Sequence, residues 1–166
     1  MGILMSVYSV SASDLERIIA EPELAEHLWD CEPGSLAARD LPRELLDLDK
    51  AWAGIHFVLT GSQDAGGGAL GFLLDAGEEI GDQEGRVMPI QGIRPEEVVS
   101  ISAALAPISP QLFQERLDHR QLLDEGVYGV SDDEEEERKY LGLHYEQLRG
   151  FVARAAEKGH GLVTAG

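Results

Sequence analysis

Cysteine, basic residues and long apolar runs are all scarce in this chain of 166 residues. The single cysteine, Cys31, excludes an internal disulfide and any zinc site built on paired cysteines. Its neighbours Asp30 and Glu32 are acids, which disfavour the thiolate that a nucleophile needs, so we expect Cys31 to be a small core residue. No apolar run approaches membrane-spanning length, and the first residues lack the basic leader of a signal peptide. These features predict a soluble, cytoplasmic protein.

The shortage of basic residues gives the chain a strong negative charge. Lysine and arginine number 13 against 31 aspartates and glutamates, which leaves a net charge of −18. Such a surface repels phosphate backbones and anionic lipids, so we expect neither nucleic acid nor membrane as a partner. Two interpretations stay open: the acids attract a basic protein partner, or they only keep the domain soluble.

The length and composition indicate one folded domain spanning residues 1–166. Hydrophobic residues make up 43% of the chain, which is enough for a core without disulfides or a structural metal. Strand signals occur at 3–10, 86–90 and 162–164, and helix signals outnumber them. We therefore predict a mixed α/β fold in which a small sheet, containing the N- and C-terminal strands, is covered by several helices.

Helix start and stop signals divide the rest of the chain. Capping boxes at Ser13 and Ser131, and prolines at the first turn, predict helices that begin near 13, 22, 95, 110 and 132. The last of these carries a stripe of Leu141, Tyr145, Leu148, Val152 and Ala155 and ends at Gly159. Asp49 is predicted to cap a helix over 50–60 that ends at Gly61. Short helical turns are expected around 41–46, and a flexible loop over 61–71.

The densest polar segment supplies the candidate ligand-binding residues. On a helix, Asp49, Trp52 and His56 share a face, and Lys50 and Thr60 continue the segment. This face predicts a ligand pocket in which Asp49 and His56 exchange protons. The alternative is structural: Asp49 caps the helix, Trp52 fills the core and His56 is a buried, hydrogen-bonded histidine.

Other motifs do not define a reaction. Asp47 and Asp49 form a D-x-D pair, but two carboxylates alone do not make a metal site. The loop around Gly66–Gly68 lacks the Lys-Ser/Thr of a phosphate-binding loop, and no G-x-S-x-G elbow is present. We expect no metal and no cofactor. The acidic run 132–137 suits either a basic partner or the positive end of a helix dipole.

Several of these motifs together resemble the YfbM-like family of bacterial proteins, a domain family of unknown function. The most specific is D-x-D-K-x-W-x-x-x-H-x-x-L-T-G over 47–61, and matching residues extend from Met1-Gly2 to Gly159. The chain departs from the family pattern at Gly129, where a proline is typical. The resemblance implies a compact α/β fold and assigns no activity.

The sequence is therefore compatible with two functions. The first is an acidic protein-binding module, comparable to inhibitor or immunity proteins, and it is favoured by the charge. The second is a small enzyme or small-ligand-binding protein that uses the face of Asp49, Trp52 and His56.

Overall fold

A five-stranded antiparallel sheet forms the centre of the protein. The computed structural model describes residues 2–29 and 41–166, so the prediction for Cys31 lies outside the described residues. The strand order is β2-β1-β5-β4-β3, and the strands are β1 (Met5–Val10), β2 (Arg43–Asp49), β3 (Glu78–Glu79), β4 (Gln91–Ile93) and β5 (Gly161–Ala165). Tyr8 of β1 faces Val163 of β5 in the register. The predicted meeting of the two terminal strands is confirmed.

Helices surround this sheet. The α-helices in the described residues are α1 (Ala12–Ala20), α2 (Ala51–Thr60), α3 (Pro95–Leu105), α4 (Pro110–Arg116), α5 (His119–Asp124) and α6 (Glu134–Lys158). Short 3₁₀ helices occupy Pro22–Leu28 and Gly68–Gly71. None of the helices in the described ranges is both long and apolar enough to cross a membrane. The mixed α/β class and the helix-covered sheet are as predicted.

Two hydrophobic clusters form, and alternate residues of β1 belong to different ones. Met5 and Val7 belong to the larger cluster, which contains buried hydrophobic residues of α2, α3 and α6. Tyr8 and Val10 belong to the smaller cluster with residues of α1 and the first 3₁₀ helix. Because side chains alternate across a strand, β1 contributes to the core on both faces of the sheet.

One helix prediction and one strand prediction are wrong. Residues 43–49 form the edge strand β2 rather than helical turns, and they pair with β1. Leucine-rich segments favour helices locally, but backbone pairing with a buried strand outweighs that preference. Residues 86–90 contain no strand, and the neighbouring strand β4 begins only at Gln91.

The helix caps differ from those predicted at three helices. Ser11, not Ser13, accepts from the backbone N–H of Asp14 at 3.1 Å. Asp133, not Ser131, caps α6 by accepting from the N–H of Glu136 at 3.0 Å. At α2, Lys50 is the cap residue and no side chain accepts there, so Asp49 does not cap that helix. The C-caps Gly61 and Gly159 adopt the predicted left-handed conformation.

Candidate functional site

A surface cavity of about 450 Å³ lies between the β2–α2 corner and the first turns of α6. Asp49 and Lys50 enter it from the corner, and the α5–α6 loop and α6 form the other walls. We call this cavity the Asp49–Tyr140 pocket. It is lined by Asp49, Lys50, Gly129, Ser131, Glu136, Glu137, Lys139, Tyr140 and Leu143.

The hydroxyl of Tyr140 joins the two sides of the pocket. It donates to Oδ2 of Asp49 at 2.8 Å and accepts from the backbone N–H of Lys50 at 3.2 Å. Burial, followed by the hydrogen bond to Asp49, raises the pKa of Tyr140 to about 12. The hydroxyl therefore stays protonated at physiological pH and acts as a fixed donor to the Asp49 carboxylate.

Asp49 has an unusual backbone conformation. It is the one non-glycine residue in the described ranges with a positive φ, at 47°. The carboxylate of Asp47 accepts from its backbone N–H at 2.7 Å. Left-handed conformations cost free energy for side chains other than glycine and are frequent at functional sites. Here the conformation turns the chain from β2 into α2 and leaves Asp49 on the pocket wall.

Glu137 is the buried acid of the pocket. Glu137 is only 2% exposed, and its Oε2 accepts a hydrogen bond from the backbone N–H of Ser131 at 2.8 Å. Burial raises the pKa of this carboxyl group, while the bond from Ser131 partly offsets that effect. His119 in turn has its Nε2 2.7 Å from the carbonyl oxygen of Ser131. The loop before α6 is thereby tied to both α5 and α6.

Trp52 does not line this pocket. Its indole N–H donates to the carbonyl of Ile3 at 3.0 Å, and its ring stacks on Tyr128 with centroids 5.8 Å apart. The hydroxyl of Tyr128 accepts from the N–H of Ile3 at 2.6 Å. Trp52 thus holds the first residues of the chain against the α5–α6 loop.

His56 and Thr60 also lie away from the pocket. His56 is 1% exposed, and its Nε2 contacts the carbonyl oxygen of Asp64 at 2.9 Å. The other ring nitrogen, Nδ1, is buried without a hydrogen-bond partner, and burial lowers the pKa of the ring. Thr60 donates to the carbonyl of His56 at 2.8 Å. The structure therefore brings together Asp49 and Lys50 and separates them from the other three candidates.

The D-x-D pair makes a hydrogen bond within itself, because the Asp47 carboxylate accepts from the backbone N–H of Asp49. Across residues 2–29 and 41–166, no group of three or more His, Cys, Asp or Glu side chains is placed to hold a metal ion.

Sequence reasoning missed the contribution of α6 to the pocket. One signal was available, because Glu137 lies four residues before Leu141 and so continues the buried stripe of the last helix. An acid on a buried stripe needs a hydrogen-bonding partner or a functional reason. Tyr140 carried no comparable signal, because its contact with Asp49 spans 91 residues of sequence.

The fold and the pocket define an antiparallel α/β domain with a surface cavity, lined by charged and apolar side chains, beside its longest helix. The chain belongs to the family described as Domain of unknown function (DUF1877), whose model matches residues 1–165. It is similar to the crystal structure of YfbM from Escherichia coli, a protein of unknown function, with a TM-score of 0.69. That likeness covers 98% of both chains at 18% identity, and so shows the fold alone. No curated protein matches the chain. The predicted YfbM-like resemblance is confirmed.

Proposed function

We propose that this domain is a binding module whose acidic face, around the Asp49–Tyr140 pocket, receives a positively charged protein partner. One observation carries the proposal: the exposed acidic run 132–136 ends at Glu136, which lines a cavity that also contains Asp49 and Glu137. The proposed setting is the cytoplasm, for which the acidic composition is suitable.

Local ion pairs do not neutralise this face. Arg138 pairs with Glu134, and Lys139 pairs with Glu135. Asp132, Asp133 and Glu136 form no ion pair with any described residue. The positive end of the α6 dipole favours acids here, so part of the run is explained by helix stability. Glu136 and Glu137 lie in the first turn of α6, where the dipole acts, whereas the third acid of the cavity, Asp49, lies at the end of β2.

Charge complementarity of this kind raises association rates and makes binding sensitive to salt. Pull-downs from cell lysate at low and high salt test the proposal. The test variant neutralises Asp132, Glu135 and Glu136 as the amides. A matched control neutralises the exposed acids Glu84, Glu146 and Glu157, which gives the same net charge.

We expect a partner that the wild type and the control capture at low salt and release at high salt. The test variant is expected to lose it. Capture of no salt-sensitive partner, or equal loss by both variants, would contradict the proposal, because the effect would then be general charge rather than this face.

A second candidate function is a small-ligand binder or small enzyme at the same pocket. The observation in its favour is the positive φ of Asp49 beside a cavity large enough for a small molecule. In this alternative, Asp49, Lys50, Tyr140 and Glu137 are the residues that contact the ligand. Trp52, His56 and Thr60 support the helix that positions the first two.

A further inference from the structure

Residues 61–71 follow the end of α2 and fold back against it, and we call this segment the strap. A carbon added at Gly67 would lie 2.8 Å from Cγ2 of Thr60, the last residue of α2. The 3₁₀ helix Gly68–Gly71 at the end of the strap packs against α2 and α3. Most strap residues are exposed, and the glycines at 66–68 have positive φ, which glycine adopts without strain. The strap is therefore a surface segment with a locally permissive backbone.

Two hydrogen bonds join residues 63–70 to described residues outside the strap. The carbonyl oxygen of Asp64 accepts from Nε2 of His56 at 2.9 Å. The side-chain amide of Gln63 donates to the carbonyl oxygen of Glu125 at 2.7 Å, and this bond is exposed, so water competes for both of its groups. Surface segments with few buried contacts open locally at a lower free energy than the whole fold. His56 is therefore the main polar anchor of the strap.

The bond to Asp64 fixes the tautomer of His56. A carbonyl oxygen only accepts, so Nε2 carries the proton of the neutral ring and Nδ1 is its acceptor atom. Nδ1 is buried without a hydrogen-bond partner in the described ranges, and the residue is almost completely buried. A second proton, placed on Nδ1, would create a buried cation whose new N–H group has no acceptor. The closed strap therefore disfavours the protonated ring.

No neighbouring charge compensates that cost. The helix α2 packs against β2, α4, α6 and the 3₁₀ helix of the strap, and this 3₁₀ helix has no titratable residue. The other three elements carry charged groups, such as Asp49 on β2, Arg116 on α4 and Glu137 on α6. None of the charges in the described ranges acts on His56: burial lowers the pKa of the ring, and only the backbone bond to Asp64 opposes this. A proton on Nδ1 therefore finds its acceptor in water.

We infer that the strap is a pH-sensitive device, which opens when His56 takes up a proton and closes when the ring is neutral. In the open form the imidazolium ring is hydrated, water accepts from both of its N–H groups, and the bond to Asp64 is broken. The proton comes from solvent and returns to it, so the transition is reversible. Opening also separates Gln63 from Glu125, at the start of the α5–α6 loop that forms one wall of the Asp49–Tyr140 pocket.

Amide hydrogen exchange of the native protein, followed by mass spectrometry between about pH 5 and 7.5, tests this inference. Each exchange rate is divided by the intrinsic rate of an unstructured chain at the same pH, which gives a protection factor. The measurement is made with and without about 1 M urea, because urea promotes global unfolding in proportion to the surface exposed. The variant is His56→Gln, whose amide is able to donate to Asp64 without titrating. His27→Gln is the matched control.

We expect the strap of the wild type and of the control to lose protection as the pH falls below 6.5, the ordinary pKa that His56 regains when the strap opens. The loss should reach up to about 30-fold between about pH 7.5 and 5, as uptake of one proton predicts. In His56→Gln it should stay below about threefold. Urea should change strap protection by less than about twofold, whereas the core strand β5 should lose about fivefold or more.

The inference is overturned if strap protection does not change with pH, or if it changes equally in His56→Gln. It is also overturned if urea lowers the protection of the strap as steeply as that of β5, because the opening would then be global unfolding.

Nuclear magnetic resonance of the wild type gives a test that does not depend on the folding of a variant. Correlation of the His56 ring protons with its two nitrogens should show the proton on Nε2 at about pH 7.5. The backbone amide signals of the strap should then change with the same midpoint as the ring. A ring that takes up its proton while the strap signals stay unchanged would contradict the inference, because the closed strap would then accommodate the cation.

Discussion

His56 should make the stability of the fold depend on pH. The ring is 1% exposed, its Nε2 bonds to the carbonyl of Asp64, and its Nδ1 has no partner. A proton added to Nδ1 would have no acceptor, so burial lowers the pKa of the folded state below the ordinary value of 6.5. As the pH falls, the unfolded chain takes up this proton first. The stability contributed by neutral His56 is therefore present above about pH 6.5 and is lost below it.

The size of the effect has an upper limit. If folded His56 stays neutral down to about pH 5, protonation of the unfolded chain removes about 2 kcal/mol of unfolding free energy between about pH 7.5 and 5. Partial protonation of the folded state makes the loss smaller. Urea unfolding followed by circular dichroism across this range measures it.

The variant His56→Gln isolates the contribution, because glutamine does not titrate and its amide is able to donate to Asp64. Its unfolding free energy should fall less than that of the wild type as the pH decreases. His27→Gln is the matched control, since His27 is partly exposed and its ring makes no hydrogen bond with the described residues. Parallel curves for the wild type and His56→Gln would refute the reasoning.

Three further substitutions test other parts of the structure. Burial raises the pKa of Glu137, so its contribution to stability is present below the unfolded value of 4.5 and is lost as the pH rises through the folded value. Glu137→Gln should therefore gain stability relative to the wild type as the pH rises, and a gain that instead shrinks with pH would contradict this. Gly71→Ala should destabilise by several kcal/mol, because an added carbon would lie 1.6 Å from the carbonyl oxygen of Gly66. Gly150→Ala, inside α6 and facing only a flexible arginine, should be neutral or stabilising by up to about 1 kcal/mol in thermal or urea unfolding.

Local sequence signals predict helices best where the conformation depends on interactions between residues that are close in the chain. The helix Pro95–Leu105 begins where predicted, because proline at its start and acids in its first turn act within a few residues. The left-handed caps Gly61 and Gly159 were predictable for the same reason. The cap at Ser11 instead of Ser13 shows the limit: several polar residues are able to cap, and the packing of the first turn selects one.

Predictions failed where distant partners decide the structure. Residues 43–49 favour a helix by composition, yet pairing with β1 makes them a strand. That strand leads directly into the strained turn at Asp49, which the helix-cap interpretation missed. Trp52 and His56 share a helix with the pocket corner, but the contacts made by Ile3, Tyr128 and Asp64 place them elsewhere.

The amino-acid sequence by itself determined the acidic surface, the mixed α/β class, most helix bounds and the segment that contains Asp49 and Lys50. Each of these depends on composition or on interactions between residues close in the chain. Only the tertiary structure decided that Tyr140 and Glu137 complete the pocket. Their positions depend on how α6 packs beside the β2–α2 corner, and that packing is set by the whole core rather than by any local pattern.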